Sequence, residues 1–499
     1  MTPNLRSLLI TGALLLLFFL HLFLYKGFIV DDTFITFRYV QNLIRGYGLV
    51  YNIGERVEGY SNFLWILLLA PFASWGVELV VAAKALGALL GGLTLYLTWR
   101  AAHQQVGGFP LAPLFLAASA PFAAWSVGGL ETLLFTFLIL CGGYVFLQEE
   151  ARARGYLSGL LFGLLALTRP EGLMFLLVAI VFRTWRLYCS HSRPHRHDPI
   201  RLLLAGIIIV PYFLWRLTYY GYPFPNTVYA KSLGFHPRAF LEGLVYSYQS
   251  IESVGGFFFL ALLFSLALTV SPLSLPISYW SLNVSAYTLF VILGGGDWMP
   301  LQRFAAHILP PLYLLLQAGL SVLYRWWHFR WHKALWTILI VGQVGYLLGY
   351  SLEQRFVNGV GGGPLIPEDT PIIAYIRQNV RPGDTIAVTD AGLISYRLPP
   401  EVRIVDMVGL TDVHIAHQPV RLPGGLLGRG DAFGKWDVDY VLQQQPYLVQ
   451  VNIIGQTAKG EWLTNFTGTT LLVNAPRFRQ LYRPVDETRL PGLFIRQER

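Results

Sequence analysis

Residues 7–40, SLLITGALLLLFFLHLFLYKGFIVDDTFITFRYV, place two adjacent aspartates, Asp31 and Asp32, shortly after a long apolar run. The run covers residues 7–25, and roughly 17–25 apolar residues are enough to cross the hydrocarbon core of a bilayer. No small-residue cleavage site follows it, which favours an uncleaved first membrane helix over a removable signal peptide. The stretch therefore predicts a membrane-anchored chain with two carboxylates at a membrane boundary.

The rest of the composition agrees with a polytopic membrane protein. Of 499 residues, 54% are hydrophobic and only 13% are charged, whereas soluble domains carry about 25% charged residues. Apolar runs predict about eleven transmembrane helices, at residues 7–25, 77–99, 109–127, 130–148, 155–168, 170–187, 202–219, 254–271, 275–293, 304–324 and 334–352. The apolar run 62–75 is too short to span, and we expect it to lie along the outer membrane surface.

The distribution of charge predicts the orientation. The formal net charge is +9, and the basic excess lies in short loops around Arg100 and residues 152–154, 183–201 and 325–333. Basic loops of this kind stay on the cytoplasmic side. The N-terminus is therefore predicted inside, and Asp31 and Asp32 outside. Charge spread over short loops does not build a nucleic-acid-binding face, so no nucleic-acid partner is expected.

Composition also predicts the domain organisation. Residues 1–352 form a membrane module whose first outer loop is 26–76, residues 353–364 form a glycine-rich linker, and residues 365–499 form a small extracytoplasmic α/β domain. Within that domain, residues 385–390, 403–406 and 440–442 are predicted to be buried strands. Residues 371–379 are predicted to form a helix with Thr370 as its N-cap.

The paired aspartates have a structural and a catalytic interpretation. Phe34, Phe37, Val40 and Ile44 have the spacing of an amphipathic helix on a membrane surface, and either aspartate could cap that helix. A cap requires only one carboxylate, however. In surroundings of low dielectric, the pKa of a carboxyl group rises, which suits a general base acting on an acceptor hydroxyl.

Other outer-face residues admit two interpretations as well. Residues 48–62, GLVYNIGERVEGYSN, are either an ordinary loop or a substrate wall in which Glu55, Glu58 and Tyr60 bind sugar hydroxyls. Arg169 either forms an ion pair with Glu171 or Glu131, or faces a phosphate. Lys231 and Arg303 are further candidates for phosphate binding, because cations stabilise an anionic leaving group.

The sequence shows no motif for binding a nucleotide or a metal ion. It contains no G-x-x-x-x-G-K-[ST] phosphate loop. His414 and His417 have helical spacing but no evident carboxylate partners, so a divalent metal is unsupported and no metal site is predicted.

Several segments together resemble one known family. Residues 31–40, DDTFITFRYV, and residues 48–62 resemble the terminal beta-1,2-arabinofuranosyltransferases of actinobacterial cell walls and their uncharacterised bacterial relatives. Supporting matches are residues 129–132 (GLET), 167–172 (LTRPEG), 225–231 (PNTVYAK), 295–299 (GGDWM) with Arg303, 390–393 (DAGL) and 408–412 (VGLTD).

The resemblance implies a GT-C fold and an inverting glycosyltransferase in the inner (plasma) membrane of a bacterium. The donor would be a polyprenyl-phosphate sugar, possibly arabinofuranosyl, and the acceptor an envelope glycan or lipid. Asp31 becomes the candidate base and Asp32 its support or an acceptor ligand, with the reverse assignment still open. The donor phosphate is expected to bind to Arg169, Lys231 or Arg303. Residues expected to bind substrate are Arg38, Glu55, Glu58, Tyr60, Asn62, Glu131, Glu171, Asn226 and Asp297.

A transporter or flippase of lipid-linked sugars is the alternative function. Such a protein would line a path with polar residues inside its spans. Here the spans are nearly free of charge, and the polar clusters collect on one face. The sequence therefore favours the enzyme.

Overall fold

The chain is mostly helical in a computed structural model that describes residues 3–189, 194, 196–231, 237–256, 274–326, 330–421 and 434–498. In chain order, the α-helices of the first 352 residues are Pro3–Leu24, Asp32–Ile44, Phe63–Ser74, Leu79–Ala101, Leu111–Ala118, Ala120–Trp125, Thr132–Arg152, Leu157–Thr168, Gly172–Cys189, Asp198–Tyr220, Asn226–Lys231, Pro237–Val254, Leu275–Gly294, Arg303–Trp326 and His332–Leu352. The later ones are Pro371–Asn379, Leu393–Tyr396, Val413–Ala416, Val438–Gln443, Thr467–Asn474 and Pro476–Leu481.

Seven helices in the described part of the chain are long and apolar enough to cross a membrane. They are Leu79–Val106, Thr132–Arg152, Gly172–Cys189, Asp198–Tyr220, Leu275–Gly294, Arg303–Arg325 and His332–Val357. Shorter apolar helices cover Leu9–Leu24, Phe63–Ser74 and Leu157–Thr168. The protein is thus a multi-pass membrane protein, as predicted. Most of the predicted span 254–271 lies outside the described residues.

One predicted span is divided into two helices in the structure. Residues 109–127 form two short helices, Leu111–Ala118 and Ala120–Trp125, separated by Ser119 in an extended conformation. Pro121 has no N–H to donate to the carbonyl of Ala117, and its ring would clash with that carbonyl in a continuous helix. Nδ1 of His21 lies 2.9 Å from the Ala117 oxygen and satisfies it instead.

The chain divides into two compact units. The first contains Met1–Ile29, Val80–Tyr212 and Ala239–Ile366, and the second contains Val30–Leu79, Phe213–Arg238 and Pro367–Arg499. The second unit thus joins the C-terminal segment to most of residues 26–76, the predicted first outer loop, and to a short middle segment. The composition of the sequence gave no indication of this grouping. The predicted linker, 353–364, begins with a π-helical turn, Glu353–Val357.

A mixed sheet organises the C-terminal segment and confirms the predicted α/β region. Its strands are β1 (Thr385–Val388), β2 (Arg403–Asp406), β3 (Leu448–Gln450), β6 (Tyr482–Asp486) and β7 (Leu490–Arg496), and β4 (Ile453–Gln456) and β5 (Trp462–Thr464) form a separate pair. The order is β2-β1-β3-β7-β6, with β1 parallel to β2 and β3, and β7 antiparallel to β3 and β6. Ala387, Val405, Val449 and Phe494 lie in its apolar core.

Local predictions in this region had mixed outcomes. The helix Pro371–Asn379 begins as predicted, and the Thr370 hydroxyl accepts a hydrogen bond of 3.3 Å from the Ile373 amide. The strand predicted at 440–442 is wrong, because these residues lie in the helix Val438–Gln443. Asp437 caps that helix by accepting from the Tyr440 amide at 2.9 Å. A short apolar run does not distinguish a buried strand from one face of a short helix.

The helix Asp32–Ile44, predicted to be amphipathic, is largely buried in the second unit. The rings of Phe34 and Phe37 lie 5.5 and 5.6 Å from the ring of Tyr396. On the same helix, Arg38 donates to the backbone oxygens of Ser395 and Val402, at 2.6 and 2.9 Å. Packing against the C-terminal segment therefore fixes the helix that carries the paired aspartates.

Candidate active site

The Asp31 carboxylate is held by backbone amides from the C-terminal segment. One oxygen accepts a hydrogen bond from the Gly392 N–H at 2.7 Å, and the other accepts from the Leu393 N–H at 2.8 Å. Asp31 precedes the helix Asp32–Ile44, but its side chain does not cap that helix. The structural interpretation of Asp31 as the cap of its own helix is therefore replaced by a contact with residues 392 and 393.

The surroundings of Asp31 raise the pKa of its carboxyl group from the ordinary 3.8 to about 7. Burial is the largest cause, because desolvation penalises the charged form, and the neighbouring Asp390 and Asp32 carboxylates act in the same direction. The Leu393 and Gly392 hydrogen bonds lower the pKa and only partly offset these effects. A carboxyl group with a pKa near 7 is suited to exchange a proton at neutral pH.

Asp32 has a different environment from its neighbour. The Nζ atom of Lys231 lies 3.6 Å from Asp32 Oδ2, and the side chains of Lys231 and Asp32 are 34% and 19% exposed. Lys231 is the last residue of the short helix Asn226–Lys231. We call Asp31, Asp32 and Lys231 the carboxylate cluster. It combines a half-buried acid of raised pKa, bonded to two amides, with a second half-buried acid that lies near a cation.

The segment 390–393 also makes contacts that sequence reasoning did not assign. The Asp390 carboxylate accepts from the side-chain amides of Asn452 at 2.9 Å and Gln450 at 3.2 Å. The Tyr51 hydroxyl donates to the Ala391 oxygen. The available signal was the match of residues 390–393 to the family, which gave these residues no role.

Three of the predicted substrate-binding residues make contacts that support the segment 30–79 of the second unit. Arg38 is buried and bonded to backbone oxygens, among them that of Tyr51 at 2.8 Å. Glu55 forms a 2.6 Å ion pair with Arg403. Glu58 is buried 2.9 Å from the Nε atom of Arg216.

The other three predicted substrate-binding residues of the second unit are buried. The Tyr60 hydroxyl lies 3.0 Å from that of Tyr220, and the Asn62 side chain donates to the Thr36 hydroxyl at 3.1 Å. The Asn226 side chain donates to the carbonyl oxygens of residues 409 and 410, at 2.9 and 3.0 Å. These contacts hold the unit together, and a sugar-binding role for the six residues stays a prediction.

The first unit contains a second group of charges. The Arg169 guanidinium forms ion pairs with Glu131 and Glu171, and all three side chains are buried. Glu131 precedes the helix Thr132–Arg152, and Arg169 and Glu171 lie between two apolar helices. This is the ion-pair interpretation of Arg169 from the sequence, with both proposed partners engaged at once.

Arg303 and Asp297 form a similar pair in the same unit. Their atoms Nε and Oδ2 are 2.8 Å apart, and the side chains are 7% and 4% exposed. The guanidinium carbons of Arg169 and Arg303 lie 5.6 and 5.3 Å from the ring centre of Phe304. We call Glu131, Arg169, Glu171, Asp297 and Arg303 the arginine cluster. Its three carboxylates compensate its two guanidinium groups, so a phosphate-binding role for either arginine stays a prediction.

The backbone before Arg303 is strained. Leu301 and Gln302 have φ angles of +55° and +41°, which non-glycine residues rarely adopt. Such strain persists only where surrounding contacts stabilise it, and it is frequent at functional sites.

Among the described residues, no group of three or more His, Cys, Asp or Glu side chains is arranged to hold a metal ion.

The fold belongs to a known class of membrane protein. Two crystal structures of ArnT from Cupriavidus metallidurans superpose on the chain, each with a TM-score of 0.55. The structure bound to undecaprenyl phosphate is 12% identical and aligns 84% of this chain with 89% of its own, and the apo structure is 14% identical and aligns 82% with 87%. The architecture is thus the GT-C membrane fold predicted from the sequence.

At the level of sequence, the resemblance to the arabinofuranosyltransferases is confirmed. The terminal beta-(1->2)-arabinofuranosyltransferase of Mycobacterium tuberculosis is 32% identical over 230 residues, which are 41% of this chain and 35% of that protein. The protein of the same name from Corynebacterium glutamicum is 26% identical over 241 residues, 42% of this chain and 33% of its own length. The matches thus span about a third of each relative. Residues 366–489 match a family described as "Domain of unknown function (DUF8728)".

Proposed function

We propose that the chain is a membrane glycosyltransferase that moves a sugar from a polyprenyl-phosphate donor to an envelope glycan or lipid on the outer face of the membrane. The names of the two sequence relatives support glycosyl transfer, with arabinofuranose as the first sugar to test. The undecaprenyl phosphate bound to the ArnT structure supports a lipid-phosphate donor. The observation that carries the proposal is the half-buried Asp31 carboxyl group, held by two backbone amides and with a raised pKa, next to Asp32 and its ion pair with Lys231.

In the proposed reaction, Asp31 is the general base. It takes the proton of the acceptor hydroxyl while the oxygen attacks the anomeric carbon of the donor. The bond between that carbon and the phosphate oxygen breaks, and the polyprenyl phosphate leaves with the electron pair. Attack from the face opposite the leaving group inverts the anomeric configuration. The lipid phosphodiester supplies the driving force, so the reaction requires no nucleotide.

Lys231 is the proposed phosphate ligand of the carboxylate cluster. Its ammonium group lies within reach of Asp32 and is more exposed than either arginine of the arginine cluster. A cation at the leaving phosphate stabilises the negative charge that develops as the glycosidic bond breaks. Asp32, which shares this cation, is the proposed acceptor ligand.

The first test is linkage analysis of envelope glycans from a strain that lacks the gene. The strain is complemented with wild type, Asp31→Asn or Asp32→Asn at equal membrane abundance. The exposed Asp439 provides a matched control as Asp439→Asn. We expect one linkage to disappear in the deletion strain and to return with wild type and Asp439→Asn. With Asp31→Asn, transfer should fall by about 10²–10⁴, which is the usual contribution of a general base.

The outcomes separate the alternatives. Full restoration by Asp31→Asn, with loss in Asp32→Asn, reverses the assignment of the two residues. Full restoration by both variants contradicts a catalytic role for the pair and favours a transporter of lipid-linked sugars. Linkages that are unchanged by deletion of the gene contradict glycosyl transfer to the envelope.

A further inference from the structure

The segment 390–393 reaches Asp31 from the C-terminal part of the second unit. It follows strand β1 and includes the first residue of the short helix Leu393–Tyr396. Successive amides, those of Gly392 and Leu393, bind one carboxylate oxygen each, at 2.7 and 2.8 Å. Two hydrogen bonds to separate oxygens fix both the direction and the rotation of a carboxylate, which a single bond cannot do.

We propose that residues 390–393 are a positioning element that holds Asp31 in the orientation required for proton transfer. The inference rests on the proposed function, and it gives the C-terminal domain a direct part in the active site. A base must lie within hydrogen-bond reach of the proton that it takes, and small displacements lower the rate steeply. Asp31 itself is the residue that acts on substrate, and residues 390–393 act through it.

Gly392 is required at this contact because of space. A Cβ atom at this residue would lie 1.9 Å from the backbone oxygen of Asp31 and 2.6 Å from its carboxyl carbon. The close approach to Asp31 therefore accounts for glycine here.

Asp390 adds an electrostatic contribution to the positioning. Its carboxylate is fixed by the side-chain amides of Gln450 and Asn452, and it raises the pKa of Asp31. Asp32 is the other charged group that raises this pKa, and Lys231 lies 3.6 Å from Asp32. The Tyr51 hydroxyl, on the outer loop, ties the same segment through the Ala391 oxygen.

The first variant that tests the proposal is Gly392→Ala, with Gly455→Ala as its matched control, since a Cβ atom at Gly455 meets nothing within 4 Å. Initial rates are measured as release of undecaprenyl phosphate from undecaprenyl-phosphoryl arabinofuranose and related pentose and hexose donors. Membranes of the deletion strain supply the acceptor. We expect Gly392→Ala to lower kcat by about tenfold or more while the donor KM stays within about twofold, because the base is displaced and the donor site is retained. Gly455→Ala should match wild type.

A second variant, Asp390→Asn, tests the positioning role independently, including the case in which Gly392→Ala fails to accumulate. Removal of this negative charge should lower the pKa of Asp31, and so move the acidic limb of the kcat/KM profile to lower pH. Wild-type kcat in Gly392→Ala overturns the positioning role and leaves the proposed function intact. If that variant fails to accumulate, an unshifted profile in Asp390→Asn overturns the role by itself. If wild type releases no undecaprenyl phosphate from any donor, the proposed function fails, and the positioning role fails with it.

Discussion

The arginine cluster and the carboxylate cluster both combine acidic and basic side chains but differ in burial and in pairing. In the arginine cluster, two guanidinium groups are buried in close ion pairs with three carboxylates. In the carboxylate cluster, Lys231 is a third exposed and lies 3.6 Å from Asp32, while Asp31 is bonded to amides instead of a cation. Buried pairs of this kind stabilise a fold only while both partners are present. A partly exposed cation beside two acids is better placed to meet a ligand.

The largest expected effect comes from the removal of one member of the arginine cluster. We expect Arg169→Gln to lower the free energy of unfolding by about 3–5 kcal/mol, because Glu131 and Glu171 remain buried after losing their shared cation. The measurement is thermal unfolding in detergent at constant pH. The exposed Arg154, in the same unit, serves as the control as Arg154→Gln and should change stability little. Equal melting temperatures for the two variants would show that the buried pairs are not structural.

The next effect concerns pH and Asp31. The folded protein holds the Asp31 proton more tightly than the unfolded chain does, so this group lowers the free energy of unfolding as the pH rises from about 4 to about 7. The contribution is at most about 4 kcal/mol, since one pKa unit corresponds to about 1.4 kcal/mol. The melting temperature of Asp31→Asn minus that of wild type should therefore increase between pH 5 and pH 8.

Asp406 is a second carboxyl group that makes stability depend on pH, but it does not affect this comparison. Burial raises the pKa of its carboxyl group to about 6, so it acts in the same direction in wild type and variant and cancels in the difference. The exposed control Asp439→Asn is measured in parallel. A difference for Asp31→Asn that does not change between pH 5 and pH 8 contradicts the raised pKa of Asp31.

The smallest expected effect belongs to Lys231. We expect Lys231→Gln to raise the donor KM by about tenfold through loss of one charge-assisted contact to the phosphate. Its free energy of unfolding should change by only about 0–1 kcal/mol, because the pair with Asp32 is partly exposed. Lys459→Gln, at an exposed turn of the same unit, is the control. A donor KM equal to that of wild type removes Lys231 from the list of phosphate ligands.

Much of the fold could be predicted because its signals are local. Apolar runs of sufficient length, such as Thr132–Arg152, predict spans wherever they occur, and Thr370 with Pro371 marks a helix start. Where proline or a nearby cap decided the structure, the prediction failed. Pro121 divides the span predicted at 109–127, and Asp437 starts a helix where a strand was expected.

The candidate site could be predicted only in part, because its contacts are remote in sequence. Asp31 and Asp32 stand out as a pair, but the partners of Asp31 are residues 392 and 393. Arg38 resembles a substrate ligand in its motif, yet its guanidinium is bonded to backbone oxygens of residues 395 and 402. A residue's type and neighbours in sequence do not reveal which charge is already satisfied by a distant carbonyl or amide.

The second unit is assembled from three separate stretches of chain, and this has a consequence for the order of events in biosynthesis. Asp31 and Gly392 are 361 residues apart in the chain. At about 5–20 residues per second, the ribosome reaches Gly392 roughly 20–70 s after Asp31. The seven candidate spans of the described residues all lie between Asp31 and Gly392, so they are synthesised while Asp31 still lacks its two amide partners. The contact that orients the proposed base can therefore form only after these spans have been made.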